Sequence, residues 1–393
     1  MWATCVTAAI SAGAALGAQT ATRPSPPLAA PQGSASRLHY DRHLLLETTA
    51  ETSANASFGD VDGDGLLDIV LAKGRHWPLV DRVLLGNGRG GIRAAYDLGA
   101  ASNRSYSGRL ADLDGDGSLD VVISNDRPDP KLVYLNDGTG HFRVGSTFGR
   151  PEWGMRNASI ADVNGDGLPD IIAANRGEPG ATYVCLNRGK GRFDSDCLQV
   201  AHYPTTTVTP ADFNHDGVVD LAVPHREGGQ SYLYVGARAA NFSDARRVPF
   251  GPPDATIRIS EAADVNGDRL IDLVAIDERT GVAIYFSQKD GGFGPGVPVG
   301  NPSVVPYALA VADLDGDGAT DIVVGNVKAP STIHFNGGSG RAFTAVPFGD
   351  DRGTVYGFAI ADLDRDGVAD IAVARSEAPN VVYFGARTVS KAP

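Results

Sequence analysis

The chain of 393 residues lacks most of the motifs that mark catalytic or cofactor-binding proteins. It has three cysteines and eight histidines, and no phosphate-binding loop, zinc signature, nucleophile elbow or dinucleotide fingerprint. No segment keeps a 3.6-residue apolar period over three turns, so no substantial helix is predicted. Positive charge is also scarce. With 34 Lys and Arg against 47 Asp and Glu, the formal net charge of −13 disfavours a nucleic-acid partner.

The chain also lacks a convincing membrane span. Its first 18 residues, MWATCVTAAISAGAALGA, are apolar but too short and alanine-rich for one. They resemble the apolar region of a secretory signal peptide, although no Lys or Arg precedes them. The alternative is a disordered leader. We predict a signal peptide at 1–18, a Pro/Ser/Ala-rich linker at 19–36, and one domain at 37–393 in a secreted, periplasmic or extracellular protein.

Two cysteines remain beyond the leader, Cys185 and Cys197. They flank a Gly-rich turn between two strand-like runs, near facing positions of one hairpin. Export would permit a disulfide between them, and two buried thiols are the alternative.

Glycine, by contrast, is abundant at 49 residues, which indicates many tight turns. An acidic nine-residue loop accounts for part of it and recurs at steps of 52, 50, 50, 52, 49 and 49 residues. The seven copies are DVDGDGLLD at 60, DLDGDGSLD at 112, DVNGDGLPD at 162, DFNHDGVVD at 212, DVNGDRLID at 264, DLDGDGATD at 313 and DLDRDGVAD at 362. A period this regular indicates a repeat architecture.

Each period contains four short strand-like runs. One run enters the acidic loop, one leaves it, a third is rich in aromatic residues, and the fourth often opens with Phe. This pattern predicts an all-β fold, a seven-bladed β-propeller with four antiparallel strands per blade. The seventh period has no room for a fourth strand, so His39 to Leu46 is predicted to complete that blade and close the ring.

The acidic signature, repeated seven times in frame, resembles the FG-GAP or VCBS repeat family of seven-bladed propellers, similar to the integrin α-subunit head. The resemblance covers about residues 37 to 387 and implies calcium-binding loops. It is weak evidence for biological role, because one fold hosts many functions.

The chemistry of the loops agrees with calcium, which takes six to eight oxygen ligands. Positions 1, 3, 5 and 9 offer side-chain oxygens, and position 7 offers its backbone carbonyl. An EF-hand is rejected because position 12 of the first loop, Leu71, lies in a strand. The predicted ligands are Asp60, Asp62, Asp64, Leu66 and Asp68; Asp112, Asp114, Asp116, Ser118 and Asp120; Asp162, Asn164, Asp166, Leu168 and Asp170; Asp212, Asn214, Asp216, Val218 and Asp220; Asp264, Asn266, Asp268, Leu270 and Asp272; Asp313, Asp315, Asp317, Ala319 and Asp321; and Asp362, Asp364, Asp366, Val368 and Asp370.

The seven loops are not equivalent. Loops three, four and five carry Asn at position 3 and should bind calcium more weakly. Loop five, 264–272, also has Arg269 where a left-handed glycine is expected, and is predicted to be the weakest site. Seven calcium ions would bring the formal charge from −13 to about +1, so calcium is expected to be structural.

The face opposite the acidic loops is the predicted recognition surface. Its turns carry a ring of cations, and residues six before each loop are expected at the mouth of the central channel. The candidates are Arg75, His76, Trp77, Tyr106, Arg127, Arg156, Arg176, His202, His225, Arg226, Arg258, Arg279, Tyr307, Lys328, Tyr356 and Arg375. Aromatic rings beside cations suit acidic glycans or protein carboxylates. Local ion pairing and packing between blades are the alternatives.

Two functions follow. The first is a secreted, monomeric binding module for a glycan or an extracellular protein. The second is a carbohydrate-active enzyme, a polysaccharide lyase or glycosidase, in which His76, His202 or His225 acts with Tyr106 or Tyr307.

Overall fold

The structure, a computed structural model, describes residues 38–177, 180–237, 242 and 244–388. The predicted signal peptide and linker lie outside these residues. Every regular element within them is a β-strand, and the strands form seven four-stranded antiparallel sheets, the blades of a propeller. No helix that could cross a bilayer occurs in this part of the chain. The predicted fold class is confirmed.

Each of the first four blades uses four consecutive strands. Blade one contains β2 (Ser53–Gly59), β3 (Asp68–Lys73), β4 (Arg82–Gly86) and β5 (Ile92–Asp97). Blade two contains β6 (Ser105–Ala111), β7 (Asp120–Asn125), β8 (Lys131–Asn136) and β9 (Phe142–Phe148). Blade three contains β10 (Met155–Ala161), β11 (Asp170–Asn175), β12 (Ala181–Cys185) and β13 (Leu198–Ala201). Blade four contains β14 (Thr209–Ala211), β15 (Asp220–Val223), β16 (Ser231–Tyr234) and β17 (Arg247–Phe250).

The last blade takes one strand from the other end of the chain. Blade five contains β18 (Ile257–Ala263), β19 (Asp272–Asp277), β20 (Gly281–Tyr285) and β21 (Val297–Val299). Blade six contains β22 (Pro306–Ala312), β23 (Asp321–Asn326), β24 (Ser331–Asn336) and β25 (Phe343–Phe348). Blade seven contains β26 (Thr354–Ala361), β27 (Asp370–Ser376), β28 (Val381–Arg387) and β1 (Leu38–Leu45).

Ring closure follows the prediction, one residue earlier in its bounds. β1 pairs antiparallel with β28, from Leu38 opposite Arg387 to Leu45 opposite Val381. Beyond β1, the backbone N–H of Leu46 donates to the carbonyl of Asn380 at 2.8 Å. The outer edge of blade seven is therefore paired with a strand distant in sequence.

The apolar core lies between blades rather than inside them. Seven buried clusters occur in the described residues, and each combines side chains of two neighbouring blades. Each cluster also holds the residue at position 2 of one acidic loop: Val61, Leu113, Val163, Phe213, Val265, Leu314 and Leu363. Since these apolar side chains are buried between blades, each loop is anchored to the core by its second residue.

The fourth strands differ from the sequence interpretation in three blades, where the strand begins after the Phe expected to open it. Phe193 and Phe293 make only isolated bridges, and Phe242 lies in no strand. The outer strand begins at Leu198 in blade three, Arg247 in blade four and Val297 in blade five. In blade five the intervening sequence GPG explains the delay, because proline cannot donate to a ladder and glycine weakens a strand.

Candidate metal centres and ligand face

The acidic loops join the first and second strands of each blade, all on one face. In loop one, both oxygens of Asp60 accept backbone hydrogen bonds, from Gly63 and Gly65, each at 2.8 Å. The bond from position 6 to position 1 is present in all seven loops. The carboxylate of the first aspartate therefore stabilises the turn of the loop by accepting backbone hydrogen bonds.

Two positions of each loop adopt left-handed backbone. Position 6 does so in every copy, including Arg269, whose φ is 72°. Position 4 does so as well, which the sequence interpretation missed although five of its seven residues are glycine. The exceptions at position 4, His215 and Arg365, contact neighbouring loops. The His215 ring nitrogen lies 2.8 Å from the carbonyl of Arg269, and Arg365 donates to the carbonyl of Gly65 at 2.6 Å.

Position 7 has the same hydrogen-bond pattern in every loop. Its N–H donates to the carboxylate at position 5 in every loop. None of the seven position-7 carbonyls accepts a hydrogen bond from the described residues, so each is available to a cation.

The aspartate at position 9 holds the blade together. It is fully buried, with one oxygen accepting the N–H of position 2 and the other an N–H within two residues of the end of the third strand, at 2.7–3.1 Å in all seven blades. In blade one the donors are Val61 and Gly86. Sequence analysis predicted only a metal ligand here.

Burial makes these carboxylates costly to ionise. Desolvation raises the pKa of Asp68 to about 6, against the two amide hydrogen bonds, and nearby Asp62 and Asp64 add to the rise. The corresponding residue of blade seven, Asp370, is raised to about 7 by the same cause. A divalent cation beside them would favour the ionised form.

The carboxylates converge as a cation site requires. Positions 1, 3 and 9 place one oxygen each within 4.8 Å of one another in loops one, two, six and seven, which all carry Asp at position 3. In loops one and seven, an oxygen of Asp62 and one of Asp364 are buried without a hydrogen-bond donor. These orphaned oxygens and the all-oxygen donor set fit a hard divalent cation.

Two arginines from outer strands reach these loops. Arg93 on β5 contacts Asp62 and also lies 2.9 Å from Asp64, and Arg42 on β1 contacts Asp364 in the same way. Neither arginine was singled out from the sequence, because only blades one and seven show the contact among the described residues. Loops one and seven therefore keep four aspartates, but an arginine side chain already contacts those aspartates in each loop.

On the opposite face, the predicted ring of cations divides into two groups. Exposed or half-exposed members pair locally: Arg176 with Glu227 at 3.3 Å, Arg279 with Asp254 at 3.2 Å, and Lys328 with Glu377 at 3.2 Å. Arg127 is exposed. The inner members, Arg75, Arg226 and Arg375, are at least nine-tenths buried.

Arg75 belongs to a stack of guanidiniums and tyrosine rings at the mouth of the channel, whereas Arg375 pairs with Asp350 at 2.6 Å. The guanidinium of Arg75 lies 3.6 Å from the ring of Tyr356 and 5.0 Å from that of Tyr106. Arg156 covers the other side of Tyr106 at 4.5 Å. The remaining contacts in this stack are Arg258 over Tyr307 at 3.3 Å and Tyr307 against Tyr356 at 4.9 Å.

Electrostatics at the mouth are positive. Four buried or half-buried guanidiniums, those of Arg75, Arg156, Arg226 and Arg258, face two paired carboxylates, Asp126 and Glu278. The Nε atoms of Arg75 and Arg226 are buried without an acceptor. Although burial raises it, the pKa of Tyr307 is lowered overall by Arg258 and Arg75.

A separate pocket of about 500 Å³ opens between blades three and four. Among the residues that the structure describes, Arg156, Arg176 and His202 line it with one carboxylate, that of Glu227. Gly177, Gly180 and Pro204 complete the wall.

The aromatic and histidine candidates fall in different places. Trp77 is 71% exposed, whereas Tyr106 is buried with its hydroxyl 3.2 Å from the His76 ring. Burial raises the pKa of Tyr106 and lowers that of His76. His225 stacks on Tyr203 at 4.6 Å, and burial lowers its pKa too.

Cys185 and Cys197 form a disulfide across the turn between the third and fourth strands of blade three. Cys185 is fully buried in the cluster between blades two and three, and Cys197 packs against that cluster.

Comparison with family models decides the assignment. The FG-GAP-like repeat model matches residues 60–123, 112–173, 162–223, 264–324 and 313–373. The chain belongs to the FG-GAP-like repeat family. No protein of curated function matched the sequence.

Solved structures resemble this FG-GAP propeller in fold alone. BBS1N in its complex with ARL6DN has a TM-score of 0.60 at 10% identity, over 90% of this chain and 98% of that one. The BP39L lectin of Burkholderia pseudomallei has a TM-score of 0.67 at 14% identity, over 87% and 98%. The Dos1 propeller has a TM-score of 0.54 at 9% identity, over 88% and 94%.

Proposed function

We propose that this FG-GAP propeller is an exported binding module, stabilised by calcium, that recognises carboxylate-bearing glycans on the face opposite its acidic loops. The observation that carries the proposal is the pocket between blades three and four, where Arg156, Arg176 and His202 lie together with Glu227.

A ligand carboxylate can replace Glu227 as the partner of Arg176 in this pocket. Arg176 and Glu227 are both about half exposed and 3.3 Å apart, and exposed pairs contribute little to stability. A uronate that displaces Glu227 would gain a charge-assisted hydrogen bond in a partly enclosed site. Arg156 is fixed more firmly, because Asp126 holds it at 2.8 Å and its guanidinium stacks on Tyr106.

The adjoining mouth favours an anion. Its four guanidiniums outnumber its two carboxylates, and low-dielectric walls concentrate such a field. The open glycine and proline wall of the pocket leaves room for a sugar ring beside the carboxylate.

Export and calcium are parts of the same proposal. The disulfide between Cys185 and Cys197 suits an oxidising compartment, as does the apolar leader. The orphaned oxygens of Asp62 and Asp364 support a cation in the acidic loops, and the available position-7 carbonyls favour calcium over a smaller ion.

The structural neighbours leave the ligand class open. One is a lectin and another was crystallised in a complex with a second protein, so the fold serves both kinds of partner. We favour a glycan because the pocket is small and concave, whereas a protein partner would use a broad surface.

Binding to polyuronates and to neutral polysaccharides of the same length tests the proposal. Arg176→Ala should weaken uronate binding about tenfold or more, because a charge-assisted hydrogen bond is lost. Arg188→Ala is the matched control, since Arg188 pairs with Asp194 outside the pocket. Equal binding by the two variants, or equal binding of neutral polymers, would contradict the proposal. Release of unsaturated product would identify a lyase instead.

A further inference from the structure

The centre of the ring is a cavity of about 1740 Å³ walled by the first strand of every blade. It reaches the acidic-loop face, where Gly63, His215 and Gly217 line it. Of the stacked residues at the opposite mouth, only Tyr356 contributes to its lining. The cavity is therefore a funnel that opens on the acidic-loop face.

One ring of residues, which we call the waist, encircles this funnel. They stand three positions before each acidic loop, and all seven line the cavity: Ser57, Arg109, Ser159, Thr209, Glu261, Ala310 and Ala359. Arg109 in blade two and Glu261 in blade five are three blades apart, the greatest separation that a ring of seven allows. The two charged residues thus lie on opposite walls.

Hydrogen bonds run around part of the waist. In blades one to four, the side chain donates to a carbonyl of the next blade's first strand. The bonds are Ser57 to Gly108 at 2.7 Å, Arg109 to Ala158 at 3.1 Å, Ser159 to Val208 at 2.6 Å and Thr209 to Ser260 at 2.7 Å.

The series stops at Glu261, whose carboxyl group makes no such bond among the described residues, and the two alanines that follow have no polar side chain. The next three carbonyls in the series, those of Leu309, Phe358 and Ala56, receive no side-chain hydrogen bond from the described residues. The carboxylate of Glu261 likewise receives none there. This wall of the funnel therefore combines the Glu261 carboxyl group with carbonyls that no side chain of the described residues bonds.

The facing wall offers the opposite chemistry. Arg109 uses its Nε and one terminal nitrogen, bonded to Ala158 and to the side-chain oxygen of Asn157 at 3.2 Å. Its other terminal nitrogen has no acceptor in the described part of the chain. One fixed guanidinium therefore presents free N–H groups to the cavity.

The two charges influence each other without forming an ion pair. Burial raises the pKa of Glu261 to about 7, and the distant Arg109 lowers it only in part. Burial also lowers the pKa of Arg109, partly offset by Glu261. A ligand that brought an opposite charge to each wall would relieve both desolvation costs.

We propose that the funnel binds a small zwitterion of the amino-acid or short-peptide class, with its ammonium group at Glu261 and its carboxylate at Arg109. The ammonium supplies three donors to a wall of acceptors, and the carboxylate accepts from the free nitrogen of Arg109. This site is separate from the glycan pocket, because it opens on the other face and shares no lining residue with it.

Isothermal calorimetry on the calcium-loaded full chain tests the proposal with linear ω-amino acids, from glycine to aminohexanoate. One chain length should bind best, because it matches the span between the walls. Propionate and propylamine, which carry one charge each, should bind about tenfold more weakly or not at all. Glu261→Gln and Arg109→Gln should each abolish the preference for a zwitterion, while Glu227→Gln in the glycan pocket should leave it intact.

The charge-swapped double variant, Arg109→Glu with Glu261→Arg, guards against simple loss of folding. It should bind the same zwitterion in the reversed orientation, with the same preferred length. Binding of no zwitterion by the folded wild type, or equal binding by wild type and Glu261→Gln, would overturn the proposal. Since glycan binding is measured with other ligands and variants, either site can fail without the other.

Discussion

The carboxylate of Asp68 accepts the backbone N–H of Gly86 at 2.8 Å, and so joins the end of an acidic loop to the end of the third strand of its blade. Its other oxygen accepts the N–H of Val61. All seven blades repeat the pair of bonds, so the ninth loop residue holds the blade whether or not a cation is bound.

The first prediction separates these two roles in blade three. Asp170→Asn should lower the free energy of unfolding by about 2 kcal/mol in metal-free buffer, because an amide replaces one of two acceptors and meets a buried donor. Asp166→Asn is the control, since Asp166 is exposed and its carboxylate accepts bonds only within its own loop, from the N–H of Leu168 and the side chain of Asn164. Urea unfolding in excess EGTA measures both. Equal free energies of unfolding for the two variants would mean that position 9 does not stabilise the blade without metal.

The second prediction concerns the arginine at loop one. Arg93→Ala should strengthen calcium binding there by several-fold, because the guanidinium contacts Asp62 and Asp64 and must leave before calcium takes them. Arg143→Ala is the matched control, because Arg143 holds the corresponding place in blade two and makes no ion pair in the described structure. Calcium titration calorimetry would show the difference. Unchanged affinity in Arg93→Ala would mean that the guanidinium does not compete.

The third prediction is loss of stability on removal of calcium. Each occupied site adds about 2.7 kcal/mol when free calcium is one hundred times its dissociation constant. Excess EGTA should therefore lower the melting temperature strongly, and calcium should restore it. Magnesium should restore it poorly, because it demands a smaller octahedral site. An unchanged melting temperature in EGTA would show that calcium does not stabilise the protein.

The fourth prediction concerns loop five. Arg269 has a φ of 72°, so Arg269→Gly should stabilise the protein by about 1 kcal/mol and strengthen the calcium site of its loop. The reciprocal control is Gly167→Arg in loop three, where φ is 86° and a Cβ would meet nothing within 4 Å. That variant should lose a similar amount through backbone strain alone. Differential scanning calorimetry compares the two, and shifts of the same sign would contradict the prediction.

Sequence analysis predicted the repeated architecture but missed contacts confined to one or two blades. Seven acidic loops at a constant period predicted the blades, and the surplus N-terminal strand predicted how they close. The period could not reveal that Arg93 turns back to Asp62, because only blade seven offers an equivalent contact in the described chain. It could not pair Arg109 with Glu261 across the cavity either, since their opposition depends on closing the ring.

The left-handed backbone at position 4 was within reach of sequence analysis, because glycine occupies it in five of seven loops. Sequence analysis could not have predicted how the cation ring divides into buried and exposed members. Whether an arginine at a turn is buried against tyrosine, as Arg75 is, or pairs at the rim, as Arg279 does, depends on side chains from other blades.

The last prediction concerns closure of the ring. Deleting residues 1–49 removes β1, Leu46 and Glu47. It breaks the pairing with β28 and the contact of Glu47 with buried Lys73. The side-chain nitrogen of Asn380, which donates to Glu47 at 2.7 Å, would keep only its bond to Ser53. The truncated chain should lose cooperative unfolding, because an unpaired outer strand remains and buried Lys73 keeps only one of its two carboxylate partners, Glu51. Deleting residues 1–36 keeps β1 and should leave the calorimetric transition unchanged. A cooperative, full-length-like melt after the longer deletion would show that the ring does not need this strand.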